Sequence, residues 1–181
     1  SNSEINIFGD FDLNQNTNFE TKSKLIFSSS PSVNHNVRLT NIDYEGDIIF
    51  NGGDWNIKNI SVGNSNSLTF NSGSFNFTNA YLKTGNFYAN SNQSVNFNFQ
   101  TARIDVKEIF DIGQNTNFTS NGLILRVKQS EPNKFKVNPF KTSIVLSRAV
   151  DDLELWWSSS NSSSKVIGTN FIFLKNKLYT P

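Results

Sequence analysis

The stretch VDDLELWW, residues 150–157, brings acidic and aromatic side chains together. If it is a β-strand, Asp152, Glu154 and Trp156 project from one side, because successive side chains of a strand point to opposite faces. An aromatic ring beside carboxylates is a common sugar-binding arrangement, since the ring covers C–H groups and the acids accept hydroxyl hydrogens. We therefore predict Trp156, Asp152 and Glu154 as a ligand-binding site. The alternative is a capping strand with Trp156 packed under a following module.

Metal and nucleophile chemistry have little support in the sequence. The segment GDFDLNQN places four oxygen-bearing side chains at alternate positions, namely Asp10, Asp12, Asn14 and Asn16. An EF-hand needs Gly at its sixth position and Glu at its twelfth, where this chain has Gln15 and Thr21. We therefore interpret the segment as a strand with Phe11 and Leu13 facing inward.

His35 is the sole histidine and cysteine is absent, which disfavours zinc sites and serine-type triads. We expect His35 at a strand edge or in a loop, with no catalytic residue, metal or cofactor.

The elements that would position these side chains are strands. Apolar and polar residues alternate in short runs, as in Val95, Phe97 and Phe99, and Gly, Asn and Ser punctuate them. No stretch has a convincing helical period. The pattern predicts an all-β chain.

An internal repeat then narrows the fold. Ile60, Leu82 and Ile104 are evenly spaced, and Gly63-Asn64 returns at the same interval as Gly85-Asn86. Two octets, FNGGDWNI at 50–57 and FNSGSFNF at 70–77, share one pattern. A period in the twenties is typical of stacked supersecondary units.

The predicted fold is a parallel β-helix, or β-solenoid. One turn of the chain around the axis, called a rung below, takes roughly 20 to 25 residues. We expect Phe75 to stack on Phe97, Phe77 on Phe99, and Asn64 to form a ladder with Asn86 at a corner. The alternative is a β-sandwich with similar hairpins.

The sequence pattern changes after Lys128, because the alternation of apolar and polar residues weakens around Pro132 and Pro139. Open solenoids need atypical terminal units to protect the edge of the last rung. We predict a repeat region over 1–128 and a C-terminal cap, or the start of another module, over 129–181.

The charge of the chain is nearly balanced, with a net charge of +1 among 181 residues. Basic residues are scattered, so no surface for nucleic acid is expected. No stretch is apolar enough to predict membrane insertion. We expect the chain to be part of a larger polypeptide.

The segment from Asp47 to Val127 resembles repeat regions of large secreted proteins of flavobacterial-type Gram-negative bacteria, through the phrases FNGGDWNI, SLTFNSGSFNF, QSVNFNF and FDIGQNTNF. The resemblance implies a β-solenoid exported to the cell surface or the medium. It implies adhesion to a host or substratum ligand, glycan contact, or a spacer role, and it carries no shared catalytic residues.

Two functions of different classes follow. The first is a non-catalytic solenoid segment of an exported surface protein, acting as an adhesin or spacer. The alternative is a carbohydrate-binding or carbohydrate-active β-helix, which would align acids with Arg or Lys along one face. Arginine occurs only at 38, 103, 126 and 148, and we expect no two acids to recur on one face with a basic partner. An ice-binding solenoid is disfavoured because Thr-x-Thr ladders are missing.

Overall fold

The computed structural model describes residues 3–13, 22–40, 42–113, 115–121, 123–129, 135–137, 144–146, 152–157 and 172–173. Within these ranges the chain consists of strands joined by turns and bends, with no helix. The strands are β1 (Glu4–Ile7), β2 (Phe11–Leu13), β3 (Lys24–Phe27), β4 (Asn34–Leu39), β5 (Asp43–Tyr44), β6 (Ile48–Ile57), β7 (Asn59–Val62), β8 (Ser67–Asn76), β9 (Tyr81–Ala89), β10 (Val95–Gln100), β11 (Arg103–Ile112), β12 (Thr116–Asn121), β13 (Ile124–Gln129), β14 (Phe135–Val137), β15 (Ile144–Leu146), β16 (Asp152–Trp157) and β17 (Ile172–Phe173).

The described strands pair in parallel and form three ladders, one for each face of a β-solenoid. The first face contains β1, β3, the first halves of β6 and β8, the second halves of β9 and β11, and β14. The second face contains β2, β4, the second halves of β6 and β8, β10, β12, β15 and β17. The third face contains β5, β7, the first halves of β9 and β11, β13 and β16.

This topology confirms the predicted fold class. A β-sandwich is built from antiparallel strands, whereas each pairing among the described strands is parallel and joins one rung to the next. Long strands such as β6 and β11 bend around a corner and serve two faces, so that the ladders merge into one continuous sheet. The β-sandwich alternative is therefore wrong.

The core is a stack of buried rings and aliphatic side chains. Phe75 is the register partner of Phe97, and their ring centroids lie 5.6 Å apart. The rings of Phe77 and Phe99 are stacked at 4.7 Å with planes 9° apart. Both predicted stacks are confirmed. Parallel in-register pairing produces them, because it superposes equivalent side chains at the spacing of neighbouring strands, about 4.8 Å.

The repeated octets form the corner between the first and second faces in neighbouring rungs. Phe50 pairs with Phe70 before the corner, and Trp55 pairs with Phe75 after it. Gly53 and Gly73 have φ values of 88° and 115°, in the region that favours glycine. A Cβ on Gly73 would also collide with the carbonyl oxygen of Gly53. The glycine of the octet is therefore required both by the turn and by the close stacking of successive corners.

The even spacing of the repeat holds on the third face, where Ile60, Leu82 and Ile104 are successive register partners. Between β8 and β9 on the first face the interval is shorter, since Ser67 and its register partner Asn86 are only 19 residues apart. The reason is a shorter corner: β9 passes directly from the third face to the first, whereas residues 63–66 form a turn in the preceding rung.

The predicted ladder between Asn64 and Asn86 is therefore wrong. Asn86 is the register partner of Ser67, because the shorter corner moves it onto the first face. Gly85 packs instead against the backbone of Asn64, where a Cβ would collide.

Strands described after residue 128 continue the parallel ladders. β14, β15 and β16 pair with β11, β12 and β13, respectively. The boundary between 1–128 and 129–181, and the role of the second segment as a cap, stay predictions.

Candidate functional site

The predicted site residues Asp152, Glu154 and Trp156 lie on β16, which belongs to the third face. Their register partners on β13 are Ile124, Arg126 and Lys128, respectively. The side chains of β16 lie outside the described residues, so the binding role of Trp156 and its two acidic neighbours stays a prediction. The pairing of β16 with β13 nevertheless places these three residues on the same face as the described side chains of earlier rungs.

A column of charged and polar side chains runs along the outer surface of that face. Its members are successive register partners, namely Asp43, Ser61, Lys83 and Asp105. The expectation that no two acids recur on a face with a basic partner is wrong. Two carboxylates and one ammonium stand in this column, and Arg103 is the cation of the column beside it.

The Lys83 ammonium reaches across one rung to Asp43. Its Nζ lies 3.1 and 3.3 Å from the two carboxylate oxygens of Asp43. Ser61, between them in register, has a side chain short enough to leave this path open and donates its hydroxyl hydrogen to Asp43. The Ser61 hydrogen bond, followed by the bond and charge of Lys83, lowers the pKa of the Asp43 carboxyl from its ordinary value.

A second cluster occupies the next rung. The Tyr81 hydroxyl donates to Oδ2 of Asp105 at 3.0 Å, and Nη2 of Arg103 lies 2.6 Å from the same oxygen. The guanidinium carbon of Arg103 also lies 5.3 Å from the centroid of the Tyr81 ring. Burial, and after it the Asp105 carboxylate, raises the pKa of Tyr81. The ring is thus held at its hydroxyl and flanked by a cation while remaining 37% exposed.

A groove of about 630 Å³ lies beside this ring on the third face. It spans three rungs, and its lining includes Ile42, Asp43, Asn59, Ser61, Tyr81 and Lys83. These residues supply an exposed aromatic surface, a half-buried apolar side chain, and hydrogen-bond donors and acceptors. Such a combination suits a small polar ligand with apolar C–H faces.

The outer surface of the second face has a different chemistry. Two neighbouring columns consist mostly of amides and hydroxyls, one with Asn34, Asp54, Ser74, Asn96 and Asn117, and the other with Asn36, Asn56, Asn76, Asn98 and Thr119. Asn76 donates to Asn56 at 3.1 Å and Asn117 donates to Asn96 at 2.7 Å. Asp54 is the single charged member of these two columns, and the face lacks an exposed aromatic ring among its described side chains.

The segment GDFDLNQN, which was compared above with an EF-hand loop, has a structural role in its described part. Phe11 is half-buried and Leu13 is buried, while Asp12 is exposed, as predicted for a strand. The Asp10 carboxylate accepts a hydrogen bond of 2.7 Å from the backbone of Asn36. This bond lowers the pKa of Asp10. Asn14 and Asn16 lie outside the described residues. Within the described part, no group of three or more His, Asp or Glu side chains is placed to hold a metal ion.

His35 lies inside a strand rather than in a loop. It is the register partner of Trp55, and the two ring centroids are 5.2 Å apart. Its Nδ1 also lies 3.6 Å from Asp10. His35 therefore extends the column of inward rings formed by Trp55, Phe75 and Phe97. It is the second residue of β4, near the edge of the strand as one expected alternative had it, and the loop alternative is wrong.

The charged column of the third face was not predicted from the sequence, although the sequence contains a signal for three of its members. Ser61, Lys83 and Asp105 each follow a member of the apolar repeat Ile60, Leu82 and Ile104. Because the apolar residues are equivalent in successive rungs, the polar residues that follow them are also equivalent and stand in one column. Asp43 carried no such signal, because it lies only 18 residues from Ser61, which is less than the interval of the repeat.

Comparison of the chain with protein-family models, with curated proteins and with solved structures finds no match. In the part of the chain that the structure describes, no helix is long and apolar enough to cross a membrane.

Proposed function

We propose that this chain is a non-catalytic β-solenoid segment of an exported bacterial surface protein, acting as an adhesin. The observation that carries the proposal is the third face, where an exposed aromatic ring and paired charges border a groove spanning three rungs. Solenoids present extended surfaces because each rung repeats the positions of the previous one. A spacer needs the stacked core alone, whereas an adhesin also needs a contact surface such as this one.

The ion pairs of the third face support a binding role rather than hydrolysis. Asp43 and Asp105 are three register steps apart, about 14 Å at a spacing of about 4.8 Å per rung. Paired catalytic carboxyls of glycosidases are roughly 5 to 9.5 Å apart. Each of these two carboxylates is also engaged by a cation, Lys83 or Arg103.

Export to the surface is tested in the source cells. Antibodies against this chain are applied to intact cells and to lysed cells, with and without external protease. We expect labelling of intact cells and its loss after protease treatment. Labelling that requires lysis would contradict export.

Adhesion is tested with the purified chain coupled to beads. We expect retention on glycan-coated surfaces under flow, and no retention by beads carrying the urea-unfolded chain. Equal retention of folded and unfolded chains would mean nonspecific sticking. Absence of retention by the folded chain would leave the spacer role and contradict the adhesin.

A further inference from the structure

We propose that the third-face groove lined by Tyr81 is a binding site for neutral sugars. The inference rests on the proposed adhesin function and specifies its ligand class. The ring of Tyr81 supplies the apolar surface, and the side chains that line the groove supply the hydrogen bonds. Trp156, predicted from the sequence, is not needed for this site.

The Tyr81 ring is prepared to stack on a ligand. It is 37% exposed, which makes it one of the three large apolar side chains most open to solvent among the described residues. Its hydroxyl is fixed by Asp105 and its ring by Arg103. A ring that is already fixed loses little conformational freedom on binding, so more of the contact energy appears as affinity. The C–H faces of a pyranose are a suitable partner for such a surface.

The polar groups around the ring match sugar hydroxyls. Asp43 provides carboxylate acceptors, Lys83 an ammonium donor, and Asn59 an amide that both donates and accepts. Asp43 and Lys83 are held in place by each other and by Ser61. A hydroxyl group can therefore donate to one member of the pair and accept from the other.

The charges favour neutral ligands over anionic ones. The cluster contains two carboxylates, Asp43 and Asp105, and two cations, Lys83 and Arg103, so the charges cancel. Both cations are already paired with carboxylates, and these carboxylates would repel the negative charge of a uronate, sialate or sulfate group. The volume of about 630 Å³ lies within the range of small-molecule sites, roughly 300 to 1,000 Å³.

The test titrates the full chain with soluble oligosaccharides of glucose, galactose, mannose and N-acetylglucosamine, and with sialylated, sulfated and uronate oligosaccharides. Three variants are compared with the wild type: Tyr81→Ala, Tyr81→Phe and Tyr88→Ala. Tyr88 is the matched control, since it is a half-buried tyrosine of the same strand that lies on the first face. Circular dichroism and urea midpoints verify that each variant is folded.

We expect at least one neutral oligosaccharide to bind. Its affinity should fall about tenfold or more in Tyr81→Ala and change less than about twofold in Tyr88→Ala. Tyr81→Phe keeps the ring and should retain most of the affinity. Raising the salt from about 0.1 to 1 M should change binding little, because the ligand is uncharged.

Unchanged affinity in Tyr81→Ala would overturn the site. Binding of anionic oligosaccharides alone, weakened by salt, would overturn the ligand class. If no oligosaccharide binds while coated beads still adhere, this inference fails and the adhesin function stands. If neither occurs, both fail.

Discussion

The second and third faces of the solenoid share one backbone geometry and differ in chemistry on both sides. Inside, the second face stacks Trp55, Phe75 and Phe97, whereas the third face buries aliphatic side chains together with two hydroxyl groups, those of Tyr44 and Thr84. Outside, the second face has ladders of neutral amides. The third face has carboxylates and cations that pair across rungs.

The difference shows what in-register stacking permits. An amide donates and accepts, so identical Asn side chains can bond along a ladder. Identical charges at the same spacing repel each other, so a charged column must alternate in sign or include small neutral residues such as Ser61. Among the described residues, the third face has a groove with an exposed ring beside it, whereas the outer surface of the second face has no exposed aromatic ring. Substitutions at Phe97, Tyr44 and Lys83 test this difference between the two faces.

The largest effect is expected inside the second face. Phe97→Ala should lower the free energy of unfolding by about 3 to 5 kcal/mol, because Phe97 is buried and packed against rings of adjacent rungs. Urea denaturation measures the loss. The matched control is Phe8→Ala, whose side chain is 70% exposed and which should change stability by no more than about 0.5 kcal/mol. A loss below about 1 kcal/mol for Phe97→Ala would contradict burial in the stack.

An intermediate effect is expected inside the third face at high pH. Burial raises the pKa of Tyr44 to about 12, from an ordinary value of 10.0. Between these values the native state binds more protons than the unfolded chain, so the free energy of unfolding falls as the pH rises through this window. The Tyr44 contribution to this fall is at most about 2.7 kcal/mol, since one pKa unit corresponds to about 1.36 kcal/mol.

Tyr44→Phe isolates this contribution. The variant loses the hydrogen bond from the Tyr44 hydroxyl to the Ser23 carbonyl, but it has no proton to release. Its stability should therefore decline less steeply than that of the wild type above about pH 10. Parallel declines in urea melts of the two proteins would exclude Tyr44 as the source.

The smallest effect is expected on the outer surfaces. Lys83→Glu removes the cation from Asp43 and places a carboxylate next to Asp105, its register partner. We expect a loss of about 0.5 to 1 kcal/mol that shrinks in about 1 M salt, because the groups are partly exposed.

The control for charge reversal is Asn98→Asp on the second face. The register partners of Asn98 are Asn76 and Thr119, which carry no charge. The new carboxylate should therefore cost less than Lys83→Glu and respond less to salt. Equal losses with equal salt dependence would show that the two faces do not differ electrostatically.

Much of the fold could be predicted from the sequence because it depends on local periodicity. Alternation set which side chains face inward, and the repeat spacing set which of them stack, as for Phe75 on Phe97 and Phe77 on Phe99. The shared glycine of the two octets lies at a corner in the structure, where both the turn and the stacking exclude a side chain.

The candidate site could not be predicted in the same way, because it depends on the number of residues between register partners, which varies from rung to rung. Asp43 and Ser61 are register partners only 18 residues apart, whereas Ser61 and Lys83 are separated by the longer interval of the repeat. A corner shortened in β9 likewise aligns Asn86 with Ser67. No fixed period places Lys83 within reach of Asp43. Stacking of side chains in parallel rungs could be predicted from the sequence, because alternation and repetition are local properties of the chain. Which polar side chains meet depends on the tertiary structure, because each corner takes the length that lets its strands stay in register.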